Sequence, residues 1–227
     1  MQKIAIVLAS GSGKRMSSGI LKQYIKLKNG LSVLDNTLTK LLSKPFFDLI
    51  IVVVNNLNFF YKNSYFRKVS LCVGGTHRST SLMQALIYLR NSVSSHDWIF
   101  IHDGVRPFIS FHDIENLFNT VEKTSSIGGV LVERSTDTLK RVDSLGFITS
   151  TINRAYVANA QTPQLFQYEV LLNSLKNCQR LHLNITDESY MVEITYKKPI
   201  ISVLGSRKNI KITYPEDIEI ANSFVNN

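Results

Sequence analysis

The chain has 227 residues, 44% of them hydrophobic and 19% charged, with a formal net charge of +9. That is enough apolar material for one sizeable core, no run approaches the roughly 18 apolar residues of a membrane span, and the length suits a single α/β domain. The cationic residues are spread from Lys3 to Lys211 without interleaved aromatic residues, which argues for a solvated basic surface and against nucleic acid as a partner.

"MQKIAIVLAS" passes straight into a strand rather than a cleavable leader, so a cytoplasmic protein is expected. Cys72 and Cys178 have neither metal-site nor redox-motif spacing and read as reduced packing thiols. In chain order, short β-branched runs predict strands at 4–8, 49–54, 69–73, 98–102, 128–132 and 200–204. Continuous apolar runs of this kind suit strands buried on both faces.

Helical spacing lies between them in "VLDNTLTKLLSK" (33–44), "STSLMQALIYLR" (79–90), "FHDIENLFNTVEK" (111–123), "QYEVLLNSLKN" (167–177) and "PEDIEIANSF" (215–224). Strand alternating with helix predicts a three-layer α/β fold with a mostly parallel sheet. Residues 133–166, "ERSTDTLKRVDSLGFITSTINRAYVANAQTPQLF", break the alternation and read as an excursion whose "DSLG" makes a hairpin turn. No repeat or linker divides the chain, so residues 1–227 are expected to form one domain.

The loop "LASGSGKRM" after the first strand fits neither familiar phosphate-binding template. A Rossmann fingerprint needs glycine where Met16 stands, and a Walker A loop needs glycine at Leu8 and Ser or Thr at Arg15. What remains is a flexible loop with Lys14, Arg15 and then Lys22, either a nucleotide loop of another kind or an ordinary strand-to-helix turn.

The rest of the chain bears on that choice. "ASGSGKRM", "LKQY", "VGGTHRSTSL", "IHDGVRPF", "DTLKRV", "NAQTPQ", "ITDES" and "NIKITYPEDIEIA" resemble, in order and over nearly the whole chain, the 2-C-methyl-D-erythritol 4-phosphate cytidylyltransferase family. The resemblance implies a Rossmann-like nucleotidyltransferase fold with a protruding β-arm. It implies an enzyme of isoprenoid biosynthesis that joins CTP to a polyol phosphate and releases pyrophosphate.

By the same resemblance, Arg15, Lys22 and Lys211 match the basic residues at the reacting phosphates, and Ala9, Ser10, Gly11, Ser12 and Gly13 match the triphosphate loop. Gly75, Thr76 and Ser81 match the cytosine site, while a Ser or Thr cap on a helix starting near Thr80 is a structural reading of the same residues. Asp103 matches a residue near the metal and the sugar hydroxyls. Arg106, Thr138, Arg154 and Thr162 match positions for the methylerythritol phosphate, with Lys211 beside them. Asp103 and Arg106 also fit a structural ion pair, and His102 reads as a packing residue.

The arm implies a homodimer in which Thr138 is supplied across the interface, and an unpaired arm would otherwise expose strand edges. The cofactor implied is Mg²⁺, held mainly through the CTP phosphates with no direct protein ligand expected, Asp103 being the one candidate. Three departures stand out: Ser10 where the family prefers Ala, Thr76 where it usually has an acidic residue, and Leu21 where it has Pro. Losing that proline predicts a looser segment around Lys22. Competing readings are a ribitol 5-phosphate cytidylyltransferase, which shares the CTP site, and a catalytically silent nucleotide-binding protein. Intact Arg15, Lys22, Asp103 and Lys211 argue against the silent binder.

Overall fold

The apolar run of the first strand, β1 (Lys3–Leu8), is buried on both sides, Ile4 and Ile6 facing one layer of helices and Ala5 and Val7 the other. The computed structural model describes residues 1–11, 20–64, 66 and 69–225. The remaining strands are β2 (Leu49–Val54), β3 (Ser70–Val73), β4 (Trp98–Asp103), β5 (Gly128–Arg134), β6 (Lys140–Val142), β7 (Ile148–Thr151), β8 (Ala158–Gln167) and β9 (Ile201–Leu204). The helices are α1 (Val33–Leu41), α2 (Leu57–Asn63), α3 (Arg78–Leu89), α4 (Phe111–Thr124), α5 (Tyr168–Arg180), α6 (Glu188–Tyr196) and α7 (Glu216–Phe224).

Seven strands form one sheet in the order β3-β2-β1-β4-β8-β5-β9. β3, β2, β1 and β4 are mutually parallel, β8 is antiparallel to both of its neighbours, and β9 is parallel to β5. Helices α3, α5 and α6 cover the face that carries Ile4, Ile51 and Ile99. Helices α1 and α4 cover the face of Ala5, Val52 and Phe100. The sheet therefore sits between two helical layers, each sealing its own apolar cluster.

Local chemistry sets the helix starts. Ser32, Asn56, Ser110 and Asp187 each accept a hydrogen bond from a backbone N–H in the first turn of α1, α2, α4 and α6. Helix α3 starts at Arg78, slightly earlier than its spacing predicts, and Thr80 caps it by accepting from the His77 amide at 3.0 Å. Asp217 in the first turn of α7 accepts from the Thr213 and Tyr214 amides at 2.7 and 2.9 Å.

The expected excursion 133–166 is narrower than its sequence suggests. Residues 133 and 134 complete β5, and β8 returns into the central sheet with Gln161 to Phe166 buried. Between them stands the β6–β7 hairpin, a separate two-stranded sheet with every strand residue exposed. The "DSLG" turn closes it as expected: Gly146 adopts φ 89°, and Asp143 N donates to Phe147 O at 3.0 Å. Helix α6 was not anticipated, because "ESYMVEITY" is rich in β-branched and aromatic residues whose propensity hides a helix fixed by the Asp187 cap and by packing. Cys72 and Cys178 are both buried and unpaired.

Candidate active site

In an open α/β sheet, neighbouring parallel strands whose connections leave in opposite directions open a crevice at their C-terminal ends. Here β1 connects outward to β2 on one side while β4 lies on the other. A pocket sits at that point. It is lined by Ala9, Ser10 and Gly11 after β1, by Gly75, Thr76, Arg78 and Ser81 after β3, by Asp103 at the end of β4, and by Lys22, Gln23 and Lys211. Residues distant in sequence thus meet because their strands end on the same edge.

The first loop is held from behind. Gln23, 1% exposed, donates to the carbonyls of Ala9 and Gly11 at 2.8 and 3.3 Å. Ser10 hydrogen-bonds Ser81 at 2.8 Å, and Ser81 Oγ in turn accepts from the Gly75 amide at 3.2 Å. Ser10 therefore ties the first loop to the loop after β3. Gly75 is required by space, since a Cβ there would lie 2.2 Å from Thr80 Oγ1.

Lys22 stands in a short 3-10 turn, Lys22–Tyr24, and its Nζ donates to the Ile212 carbonyl at 3.0 Å. The preceding Leu21 has φ −63°, the value that proline would impose, and an extended ψ of 125° that proline also adopts. The segment thus holds the proline geometry without the proline. Lys211, next to Ile212, places Nζ 2.9 Å from Asp103 Oδ2.

Asp103 is the electrostatic centre of the pocket. Its Oδ1 pairs with Arg78 Nη1, while Oδ2 faces Lys211 Nζ at 2.9 Å and Arg106 Nε at 3.5 Å. Burial pushes its carboxyl up, but the charges of Arg78, Lys211 and Arg106 outweigh burial and hold it well below the usual carboxylate range. His102, wholly buried, is pushed by that burial down to about 4 and is neutral near pH 7.

The other expected residues divide into groups. Arg106 is 9% exposed, with Nη1 donating to the Asn209 carbonyl at 2.7 Å. Thr162 is 4% exposed, and its hydroxyl meets the Asp103 amide and His102 Nδ1, each at 3.0 Å. Both stand directly behind Asp103. Thr138 and Arg154 belong to the arm and are not among the residues lining the pocket, with Arg154 Nη1 bonded to the Thr136 carbonyl. Ser12, Gly13 and Arg15 lie outside the described residues.

Sequence reasoning overlooked Gln23, Arg78 and Glu188. Arg78 and Glu188 lie inside recognised motifs, "THRST" and "TDES", yet nothing in their spacing shows that they meet. Across the fold, Arg78 Nε and Nη2 reach the two oxygens of the buried Glu188 at 3.0 and 2.8 Å.

Residues 3–227 match the model of the 2-C-methyl-D-erythritol 4-phosphate cytidylyltransferase family. The chain belongs to this family. A relative bearing that name from Buchnera aphidicola is 40% identical over 99% of this chain and 93% of its own. Another, from Ruthia magnifica, is 36% identical over 97% of this chain and 95% of its own. The crystal structure of the Francisella tularensis enzyme superposes with a TM-score of 0.85 at 34% identity, covering 99% of this chain and all of that one. The family fold therefore carries the crevice, and the cytidylyltransferase motifs supply its lining: the loop after β1, "LKQY", "GGTHRSTS", "IHDG" and "NIKIT" converge on one pocket.

Among the described residues, no helix is long and apolar enough to cross a membrane, and no group of three or more His, Cys, Asp or Glu residues is placed to hold a metal ion. Asp103, the acidic side chain that lines the pocket, already has both oxygens on cations. As it stands, the donor set does not fit a protein-ligated divalent ion.

Proposed function

We propose that the protein is a cytoplasmic cytidylyltransferase joining CTP and 2-C-methyl-D-erythritol 4-phosphate in isoprenoid biosynthesis. A phosphate oxygen of the polyol phosphate attacks the α-phosphorus of CTP, the bond to the β-phosphate oxygen breaks, and pyrophosphate leaves. The products are 4-diphosphocytidyl-2-C-methyl-D-erythritol and pyrophosphate. A phosphate monoester has a second pKa of roughly 6, so the nucleophile is already anionic near neutral pH and no general base is required. The work left to the protein is to bring two polyanions together and to offset charge on the five-coordinate phosphorus and the leaving group.

The observation that carries this reading is the convergence of Lys22 and Lys211 on one corner of the pocket, Lys22 on the Ile212 carbonyl and Lys211 on Asp103. Both are cations that line the pocket, beside the place the reacting phosphates are assigned to. We assign them, with Arg15, to the reacting phosphates. Ala9, Ser10, Gly11, Ser12 and Gly13 are assigned to the triphosphate, Gly75, Thr76 and Ser81 to the base, and Asp103 to the nucleotide sugar. Mg²⁺ held on the CTP phosphates would offset their charge, while the Asp103 carboxylate already pairs with Arg78 and Lys211.

The polyol phosphate is assigned to Arg106, Thr162 and Lys211, completed by Thr138 and Arg154 of a second copy. The arm supports that assembly. Leu145, Phe147, Ile148 and Val142 are 57–80% exposed on the hairpin and Tyr156 is 89% exposed at its base, an apolar surface that a homodimer would cover.

The test is pyrophosphate release from CTP and Mg²⁺ with 2-C-methyl-D-erythritol 4-phosphate, run beside ribitol 5-phosphate. Turnover of the first is expected. A clear preference for ribitol 5-phosphate would replace the acceptor and leave the reaction class standing.

A further inference from the structure

Glu188 is a carboxylate 2% exposed, at the first turn of α6, outside the residues that line the pocket. Both of its oxygens go to Arg78, through Nε at 3.0 Å and Nη2 at 2.8 Å. The third nitrogen, Nη1, goes to Asp103 Oδ1. Each nitrogen of the guanidinium therefore faces a carboxylate oxygen, and burial of Arg78 is outweighed by the two charges, which raise its pKa well above the usual value.

A planar fork held on one edge by a bidentate carboxylate has no freedom left to rotate. Stability alone is a weak reason for such an arrangement, because a buried ion pair often contributes no more than apolar residues of the same volume. What the lock does achieve is geometric. With Oδ1 taken by Arg78, the Asp103 carboxylate is turned so that Oδ2 faces Lys211 at 2.9 Å and Arg106 at 3.5 Å. Lys211, 41% exposed at its side chain, has that oxygen as its anchor.

We propose that Arg78 is a positioning residue: clamped by Glu188, it fixes the orientation of Asp103 and, through it, the place of the Lys211 ammonium in the pocket. The order of action runs from Glu188 through Arg78 and Asp103 to Lys211. Arg78 begins α3 directly after the Gly75–His77 loop, so the same clamp ties the base side of the pocket to its phosphate side. A lysine at position 78 could not substitute, since one ammonium cannot present a fork to Glu188 and a third donor to Asp103.

The inference rests on the cytidylyl-transfer reading, and the experiment separates the two. The full-length protein and the variants R78K, E188Q and R78K/E188Q are compared for kcat and for KM of CTP, with working sites counted by the calorimetric stoichiometry of CTP binding. Each single variant should lower kcat per CTP-binding site on the order of tenfold to a hundredfold, the scale of a small misplacement, while KM for CTP changes far less. The double variant should fall little below R78K, because Glu188 acts only through Arg78. Wild-type kcat per site in either single variant, or a double variant reduced by the product of the singles, would overturn the proposal.

A second arm needs no turnover. Acylation of Lys211 by an amine-selective reagent, followed by mass spectrometry without substrate, should speed up roughly threefold or more in E188Q, the scale of a partly exposed ion pair. An unchanged rate would overturn the proposal even if the reaction reading stood. Absence of turnover in the wild type would overturn the reaction reading and leave this arm to decide.

Discussion

Thr162 Oγ1 lies 3.0 Å from the Asp103 amide and 3.0 Å from His102 Nδ1, at the junction of β4 and β8. On the far side of the ring, His102 Nε2 meets the Arg106 carbonyl at 3.2 Å. A carbonyl only accepts, so Nε2 carries the proton, Nδ1 accepts, and the Thr162 hydroxyl donates to it. The hydroxyl's remaining acceptor capacity takes the Asp103 amide. Thr162→Val, which keeps the shape and removes the hydroxyl, should cost roughly 1–3 kcal/mol for each buried group left unpaired. Urea unfolding measures the loss, and Thr162→Ser should recover most of it.

The same network predicts a pH dependence of stability. His102 falls to about 4 in the folded protein, against about 6.5 when unfolded, so the unfolded chain binds the proton first. Its contribution is complete above about pH 6.5 and is lost as the pH falls toward about 4, a loss of about 2 kcal/mol by pH 5. Chemical unfolding at about pH 7 and about pH 5 tests it, and His102→Gln should flatten this part of the profile.

Lys22 Nζ donates to the Ile212 carbonyl at 3.0 Å in the wall of the pocket. A cation aimed at developing charge acts mainly in the transition state, so Lys22→Ala should lower kcat on the order of a hundredfold with CTP binding comparatively intact. Normal kcat with a raised KM would make Lys22 a ground-state anchor instead.

Leu21 holds φ at −63°, within the range of proline, while its side chain packs on the core cluster beneath α1 and α4. Leu21→Pro should therefore leave activity intact. Its gain of roughly 0.4–1 kcal/mol from a less flexible unfolded chain is offset in part by lost packing. Thermal unfolding and initial rates check both statements.

Sharing of the pocket across a dimer is tested by mixing. Thr138→Arg and Lys22→Ala homodimers should each be inactive, whereas co-folding gives about half mixed dimers, each with one intact pocket, and about a quarter of wild-type activity. No recovery, in a sample shown by sedimentation to contain mixed dimers, would mean that each pocket is built within one chain.

The strands β1, β2, β4 and β5 were legible because their apolar runs are long enough to be buried on both faces, a signal that survives without tertiary context. The "DSLG" turn was legible because a left-handed residue there calls for glycine. The family was legible because its motifs are contiguous in sequence. β8 and α6 were not, since the buried half of β8 follows exposed arm residues without a break and α6 is written in residues that favour strands. Sequence named Asp103 and Lys211 but could not show that Arg78 and Glu188 stand behind them, 25 and 110 residues from their partners along the chain. Hydrophobic pattern and turn chemistry act between near neighbours and are written locally. Which charges share a buried carboxylate depends on where strands end in the folded sheet, and only the tertiary structure decides that.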